Sequence, residues 1–154
     1  MDEVIRLFNK NAIRYLLIGG QAMRLEGMPR FSMDWDFYLP ARDQGNLDRI
    51  NDLLGDHLDL PLLPLGDRGE NFVQTYQLPW GVIQFHLGGA GLPPFDDAEK
   101  RMVSRKTENG APVRCLCGND LLAAKKAANR PQDQQDIEFL EKKRALGKFN
   151  IIDN

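Results

Sequence analysis

Long apolar runs are missing from this sequence. No stretch approaches the roughly 18 consecutive apolar residues that a membrane-crossing helix needs, and the amino-terminal Met1-Asp2-Glu3-Val4-Ile5-Arg6 is acidic where a secretory signal would be basic. That reading excludes a membrane role and leads to the expectation of a cytoplasmic protein. Cysteine is nearly absent. Cys115 and Cys117 stand two apart, a spacing that on a strand puts both on one face without the reach for an easy disulfide, so they are expected as small apolar side chains in a reducing compartment. With only His57 and His86 as further soft ligands, a zinc site is not expected. An excess of charge is also lacking. Twenty Lys and Arg against 22 Asp and Glu leave a net charge of -2, which supplies no general field for a polyanion, so nucleic-acid binding would need a local basic patch.

What is present is the ordinary material of a globular domain. Over 154 residues, 42% are hydrophobic and 27% charged, enough for one core and too little for two, so residues 1–154 are expected to form a single domain. Near-helical spacing of apolar residues from Asp2 to Asn11 precedes the buried-strand run Tyr15-Leu16-Leu17-Ile18, which stops at Gly19-Gly20. A short helix is expected over Gln21–Gly27, and a strand over Met33–Leu39, where acids alternate with bulky residues. Leu47–Leu58 carries a helical stripe, and Phe72–Leu78 with Val82–His86 suggests a hairpin around Pro79-Trp80-Gly81. A helix over Asp96 to about Lys106, a strand over Val113–Leu116 and two closing helices, the last with Ile137, Phe139 and Leu140 inside, complete the pattern. The expected fold is α/β (α+β), with a mixed sheet of about five strands flanked by helices. The hairpin disfavours a purely parallel, doubly wound arrangement.

Three features could carry chemistry. Asp34 and Asp36, one residue apart on a strand, place both carboxylates on one face with Cα atoms roughly 7 Å apart, close enough to share hard cations such as magnesium. Paired acids of this kind suit the neutralisation of a triphosphate and the departure of pyrophosphate, although Asp-x-Asp also arises by chance on a solvated strand. Gly19-Gly20, after a strand and before a helix, lets backbone amides approach a phosphate, or serves only as a tight turn. Arg30 and Ser32 fall just before the acid pair, where they could meet the same phosphates or remain a solvated charge and a surface hydroxyl.

Taken in order, Tyr15–Ile18, Gly19-Gly20, the short helix and Arg30-Phe31-Ser32-Met33-Asp34-Trp35-Asp36 resemble the core motif of the polymerase-β-type nucleotidyltransferase superfamily. Within it, the sequence looks most like the small AbiEii-like and related toxin-antitoxin nucleotidyltransferases. Asp120 to Lys125 and Arg130-Pro131-Gln132-Asp133-Gln134-Gln135-Asp136 are similar to the carboxy-terminal Lys and Arg-x-x-Asp-x-x-Asp pattern of those proteins. The resemblance implies a nucleotidyltransferase fold and transfer of a nucleotidyl group from a nucleoside triphosphate to a hydroxyl, with Mg2+ or Mn2+ as cofactor. It implies that Gly19, Gly20, Arg30, Ser32, Lys125 and Arg130 bind the nucleotide. Asp34 and Asp36 would hold metal, while Asp133 and Asp136 either orient Lys125 and Arg130, join the acidic cluster, or pair on a helix surface.

Two departures stand out. Gln84 occupies the place where active members carry a third carboxylate, so it becomes a neutral candidate metal ligand, and His86 on the same face is a candidate base or a packing residue. Gln21 stands where relatives often have a hydroxyl. Three readings follow: an enzyme using Asp34, Asp36, Lys125 and His86; a nucleotide-binding module impaired by Gln84; or an interaction component, such as the partner of a cognate antitoxin. An exposed Trp35 or Trp80 patch would favour the third. The acceptor, whether RNA, protein or small molecule, is open, and Arg101, Arg105 and Lys106 with Lys125 and Lys126 could form a basic groove.

Overall fold

The computed structural model describes residues 1–149. The amphipathic start forms helix α1 (Asp2–Lys10), whose buried face is Val4, Ile5 and Phe8. Strand β1 (Leu16–Ile18) is wholly buried and runs directly into helix α2 (Gly19–Leu25), which begins at the glycines themselves. Strand β2 (Asp34–Tyr38) follows, then helix α3 (Gln44–Leu54), which starts earlier than the apolar stripe indicated because the Asp43 side chain caps it by accepting from the Asn46 amide at 3.0 Å. Strands β3 (Val73–Leu78) and β4 (Gly81–His86) form the expected hairpin.

The stretch after it departs from expectation. Helix α4 (Phe95–Lys100) is short, and Val103–Lys106, read from sequence as the end of that helix, is strand β5. It pairs antiparallel with β6 (Pro112–Cys115), closing a second hairpin around Asn109-Gly110. The sheet therefore has six strands rather than five. Arg105 misled the reading, since a charge in mid-segment looks like a solvated helix face; here it is buried and its Nη2 donates to Glu26 Oε1 at 3.1 Å. Helices α5 (Gly118–Ala128) and α6 (Gln134–Ala145) end the fold.

Strand order is β3-β4-β2-β1-β6-β5. The β2–β4 and β1–β6 pairs are parallel and the others antiparallel, which makes the sheet mixed, as expected. Alternation along β2 sends Trp35 and Phe37 to one face and Asp34 and Asp36 to the other. Phe37 meets Phe8, Tyr15 and Phe85 at ring centroid separations of 5.8, 5.6 and 6.2 Å, so α1 seals that face with an aromatic core. The opposite face is left for the carboxylates. Cys115 is buried, and Cys117, beyond the strand end, is half-buried; burial pushes both thiols up, so neither is poised as a nucleophile. Among the described residues, no helix is long and apolar enough to cross a membrane.

Candidate active site

Where β1 ends, two glycines bring the backbone against β2 and the segment before it. Gly19 has φ +71°, and a Cβ there would lie 2.5 Å from Asp36 Oδ2; a Cβ on Gly20 would lie 2.6 Å from Ser32 Oγ. Any side chain at either position would push aside a group of the candidate site, so glycine is needed for close approach and, at Gly19, for the left-handed backbone as well.

Register sets the rest. Ile18 is opposite Asp36 across the β1–β2 pair, and Asp36 is level with Gln84 in the parallel β2–β4 pair. Gln84 thus stands beside the second acid, about one strand spacing of 4.8 Å away. Two residues on, His86 projects to the same face and its Nε2 lies 2.8 Å from Asp36 Oδ1. A carboxylate only accepts, so Nε2–H donates and Nδ1 is the ring nitrogen not engaged by Asp36. Among the described residues, Asp36 Oδ2, both Asp34 carboxylate oxygens and the Gln84 amide have no hydrogen-bond partner within the chain.

That donor set fits magnesium. The ion usually takes one or two carboxylates, with the remaining positions filled by water and substrate phosphate oxygens, rather than a complete protein cage. Among the described residues, no group of three or more His, Cys, Asp or Glu is placed to hold a metal ion.

The facing wall is basic. Lys125 on α5 points its Nζ to Asp136 Oδ2 at 3.0 Å and Asp133 Oδ1 at 3.4 Å. Arg130 makes a two-pronged contact with Asp133, Nε to Oδ2 at 2.9 Å and Nη2 to Oδ1 at 3.0 Å, and Arg30 Nη1 donates to Asp136 Oδ2. Asp133 and Asp136 are each 1% exposed. Both carboxylates are paired with the cations of this wall, Lys125, Arg30 and Arg130. The Arg130 hydrogen bonds, opposed by burial, hold the Asp133 carboxyl down at about 2, and the same contact raises Arg130.

The glycines, the acid pair, Gln84, His86, Arg30, Ser32, Lys125 and Arg130 all line one cavity of about 610 Å3. These ten residues are therefore in one place, while Asp133 and Asp136 lie behind the cations and do not line the cavity. No family model matches the chain, and no curated protein does. Solved structures do. The lincosamide antibiotic adenylyltransferase LnuA in its lincomycin-bound form aligns with a TM-score of 0.60 at 15% identity, over 90% of this chain and 92% of its own. The ANT(2")-Ia complex with adenylyl-2"-tobramycin aligns at 0.54 and 16% identity over 97% and 90%. An antigenic nucleotidyltransferase-like protein from Paracoccidioides brasiliensis aligns at 0.52 and 15% over 90% and 72%.

This chain has the nucleotidyltransferase fold. Identities this low establish architecture and leave activity to be argued from the site. Within the nucleotidyltransferase fold seen here, several contributors had escaped the sequence reading. Gln21, noted only as a departure, is 4% exposed, and its Nε2 donates to the Ser32 carbonyl at 2.9 Å while its Oε1 accepts from Arg24. It anchors the segment that carries Arg30 and Ser32. Phe31, Met33, Ala90, Leu92 and Gln132 also line the cavity; only the alternation in Arg30-Phe31-Ser32-Met33 hinted that two apolar side chains would share the site's loop. The basic groove that Arg101, Arg105, Lys106, Lys125 and Lys126 could have formed is not assembled. Arg101 pairs with Asp120, Arg105 is buried against Glu26 and Lys126 pairs with Glu141, so these charges are used within the chain. Trp35 and Trp80 are half-buried and make no exposed patch.

Proposed function

We propose that this chain transfers a nucleotidyl group from a nucleoside triphosphate to a hydroxyl acceptor, with Mg2+ or Mn2+ held by Asp34 and Asp36 and the Gln84 amide oxygen in the third place. A single observation carries the reading: two carboxylates with oxygens unsatisfied inside the chain face an array of Lys125, Arg30 and Arg130 across one cavity. Cations that are already oriented meet a triphosphate at low entropic cost. Gly19 and Gly20, with Ser32 beside them, are the proposed phosphate contacts. The metal, when bound, screens phosphate charge and lowers the barrier to attack.

His86 takes the proton. Asp36 holds Nε2–H, which leaves Nδ1 to accept the acceptor's hydroxyl proton as its oxygen attacks the α-phosphorus; the bond from α-phosphorus to the bridging oxygen breaks and pyrophosphate leaves. The carboxylate orients the ring and steadies the imidazolium, as in other base–carboxylate pairs. Because the solved structures that resemble this chain include antibiotic adenylyltransferases, ATP is the first donor to try and a small-molecule hydroxyl the first acceptor class, in the cytoplasm where nucleoside triphosphates are supplied. A role beside an antitoxin has no feature of the site in its favour.

Gln84 level with Asp36 favours a second reading, a nucleotide-binding module that no longer turns over. Calorimetric titration of each nucleoside triphosphate with magnesium into the wild type and into Asp34→Ala/Asp36→Ala, followed by a pyrophosphate-release assay, separates the two. Saturable binding lost in the double variant, with release, supports the enzyme; binding without release supports the module; no binding of any nucleotide overturns both.

A further inference from the structure

The segment between α2 and β2 is tied down by its polar side chains and offers its apolar ones outward. Arg30 reaches in to the buried Asp136, Ser32 Oγ donates to the Asp34 carbonyl at 3.3 Å, and the Ser32 carbonyl accepts from Gln21. The two residues that alternate with them point the other way. Phe31 is 82% exposed and Met33 70%, and both line the candidate active-site cavity. A loop anchored at three points holds these side chains in water at the cavity mouth, which is costly unless something covers them. Ala90 and Leu92 add further apolar lining to the same cavity.

The charges point the same way. The only carboxylates lining the cavity, among the described residues, are Asp34 and Asp36, and the reading above commits them to metal and to His86. The other charged lining residues are Arg30, Lys125 and Arg130. An amine-rich acceptor would find no uncommitted carboxylate among the described lining residues to bind its ammonium groups. A cavity of about 610 Å3 cannot enclose both a nucleoside triphosphate and a second molecule of similar size, so the acceptor must lie partly in the mouth, against the exposed side chains.

Resting on the reading of the site as a nucleotidyltransferase centre, we infer that the acceptor is an uncharged hydroxyl compound with an apolar or aromatic face, packed against Phe31 and Met33, and not a polycation. Phe31 and Met33 are specificity residues for that acceptor. They discriminate by burying its apolar face, while the absence of free carboxylates discriminates against amino sugars rich in ammonium groups.

The test uses the full chain with magnesium and the nucleoside triphosphate that the wild type binds. Pyrophosphate release is followed with two panels of hydroxyl compounds, neutral ones with an aromatic or alkyl face (aryl and alkyl glycosides, nucleosides) and polycationic amino sugars. Turnover is expected in the first panel only. For its best member, Phe31→Ser and Met33→Ser are expected to raise KM about tenfold each, the effect of removing one well-buried apolar contact, while the calorimetric Kd for the nucleotide stays unchanged. Both positions are exposed, so the variants fold. Turnover of the amino sugars, or KM values untouched by the two substitutions, would each overturn the inference. Absence of nucleotide binding in the wild type, or binding with no turnover in either panel, would instead mark failure of the underlying reading.

Discussion

At His86 the question is whether a histidine can replace a missing carboxylate. Asp36 contacts the ring through one oxygen and leaves the other turned toward Gly19, so the same carboxylate can serve metal and imidazole at once. His86→Ala is expected to lower kcat by about 100-fold or more, the range for loss of a positioned base, with nucleotide affinity retained in titration. A fall in affinity equal to the fall in kcat would show that the ring only packs. Gly19 is the complementary case. Alanine there meets the Asp36 carboxylate at 2.5 Å and must also hold φ +71°, a backbone that costs an L-residue roughly 1–2 kcal/mol. Gly19→Ala should lower the midpoint of thermal unfolding by several degrees and weaken magnesium-dependent nucleotide binding at least tenfold. A variant of normal affinity would mean that the close approach is only a turn.

Helix α6 shows how the inward face of an element can be read only in part. Ile137, Phe139 and Leu140 were expected inside; Leu140 is buried in the core, and Ile137 and Phe139 are half-buried and packed against it. The residues buried beside Leu140 are Asp136 and, just before the helix, Asp133. Apolar periodicity cannot detect a helix face whose buried members are acids, because these are stabilised by cations supplied from elsewhere in the chain: Arg30 before β2, Lys125 on α5 and Arg130. This arrangement predicts a pH dependence. The Asp133 carboxyl titrates near 2 in the folded chain against an ordinary 3.8, so its contribution is complete above about pH 4 and is lost as pH falls toward 2. Chemical denaturation of the wild type and Asp133→Asn should give a difference of about 2 kcal/mol at neutral pH that shrinks steadily below pH 4. A difference independent of pH would show that the amide fails for reasons of shape alone.

Across the whole molecule, one buried carboxylate ties together three distant parts of the chain. Glu26, just after α2, accepts from Arg105 of β5 at 3.1 Å through Oε1, and from Lys143 of α6 at 2.7 Å through Oε2. Lys143 also donates to the Glu26 carbonyl at 2.6 Å. Glu26→Ala removes the buried carboxylate that both cations share and is expected to destabilise the fold by about 3–5 kcal/mol, read as a loss of denaturation midpoint. A loss below about 1 kcal/mol, the value of an exposed pair, would contradict the burial. This triad is also why β5 was missed. Its burial depends on a glutamate 79 positions away in the chain, and no local window contains that partner.

By itself the sequence determined the elements whose signals are local: the apolar run of β1, the Gly19-Gly20 turn, the alternating acids of β2 and the stripe of α3. Their order was enough to indicate the nucleotidyltransferase fold. It also marked Asp34 and Asp36, because strand alternation needs only neighbours to work, while Lys125 and Arg130 were implied by the family resemblance. Only the tertiary structure decided what long-range pairing controls. It set Gln84 level with Asp36 and His86 onto its carboxylate, buried Asp133 and Asp136 beneath the cations, turned Gln21 into the anchor of the Arg30–Met33 segment, and left Phe31 and Met33 in water. The physical reason is the same each time: a polar side chain goes inside, or an apolar one stays outside, according to partners that folding brings from distant positions.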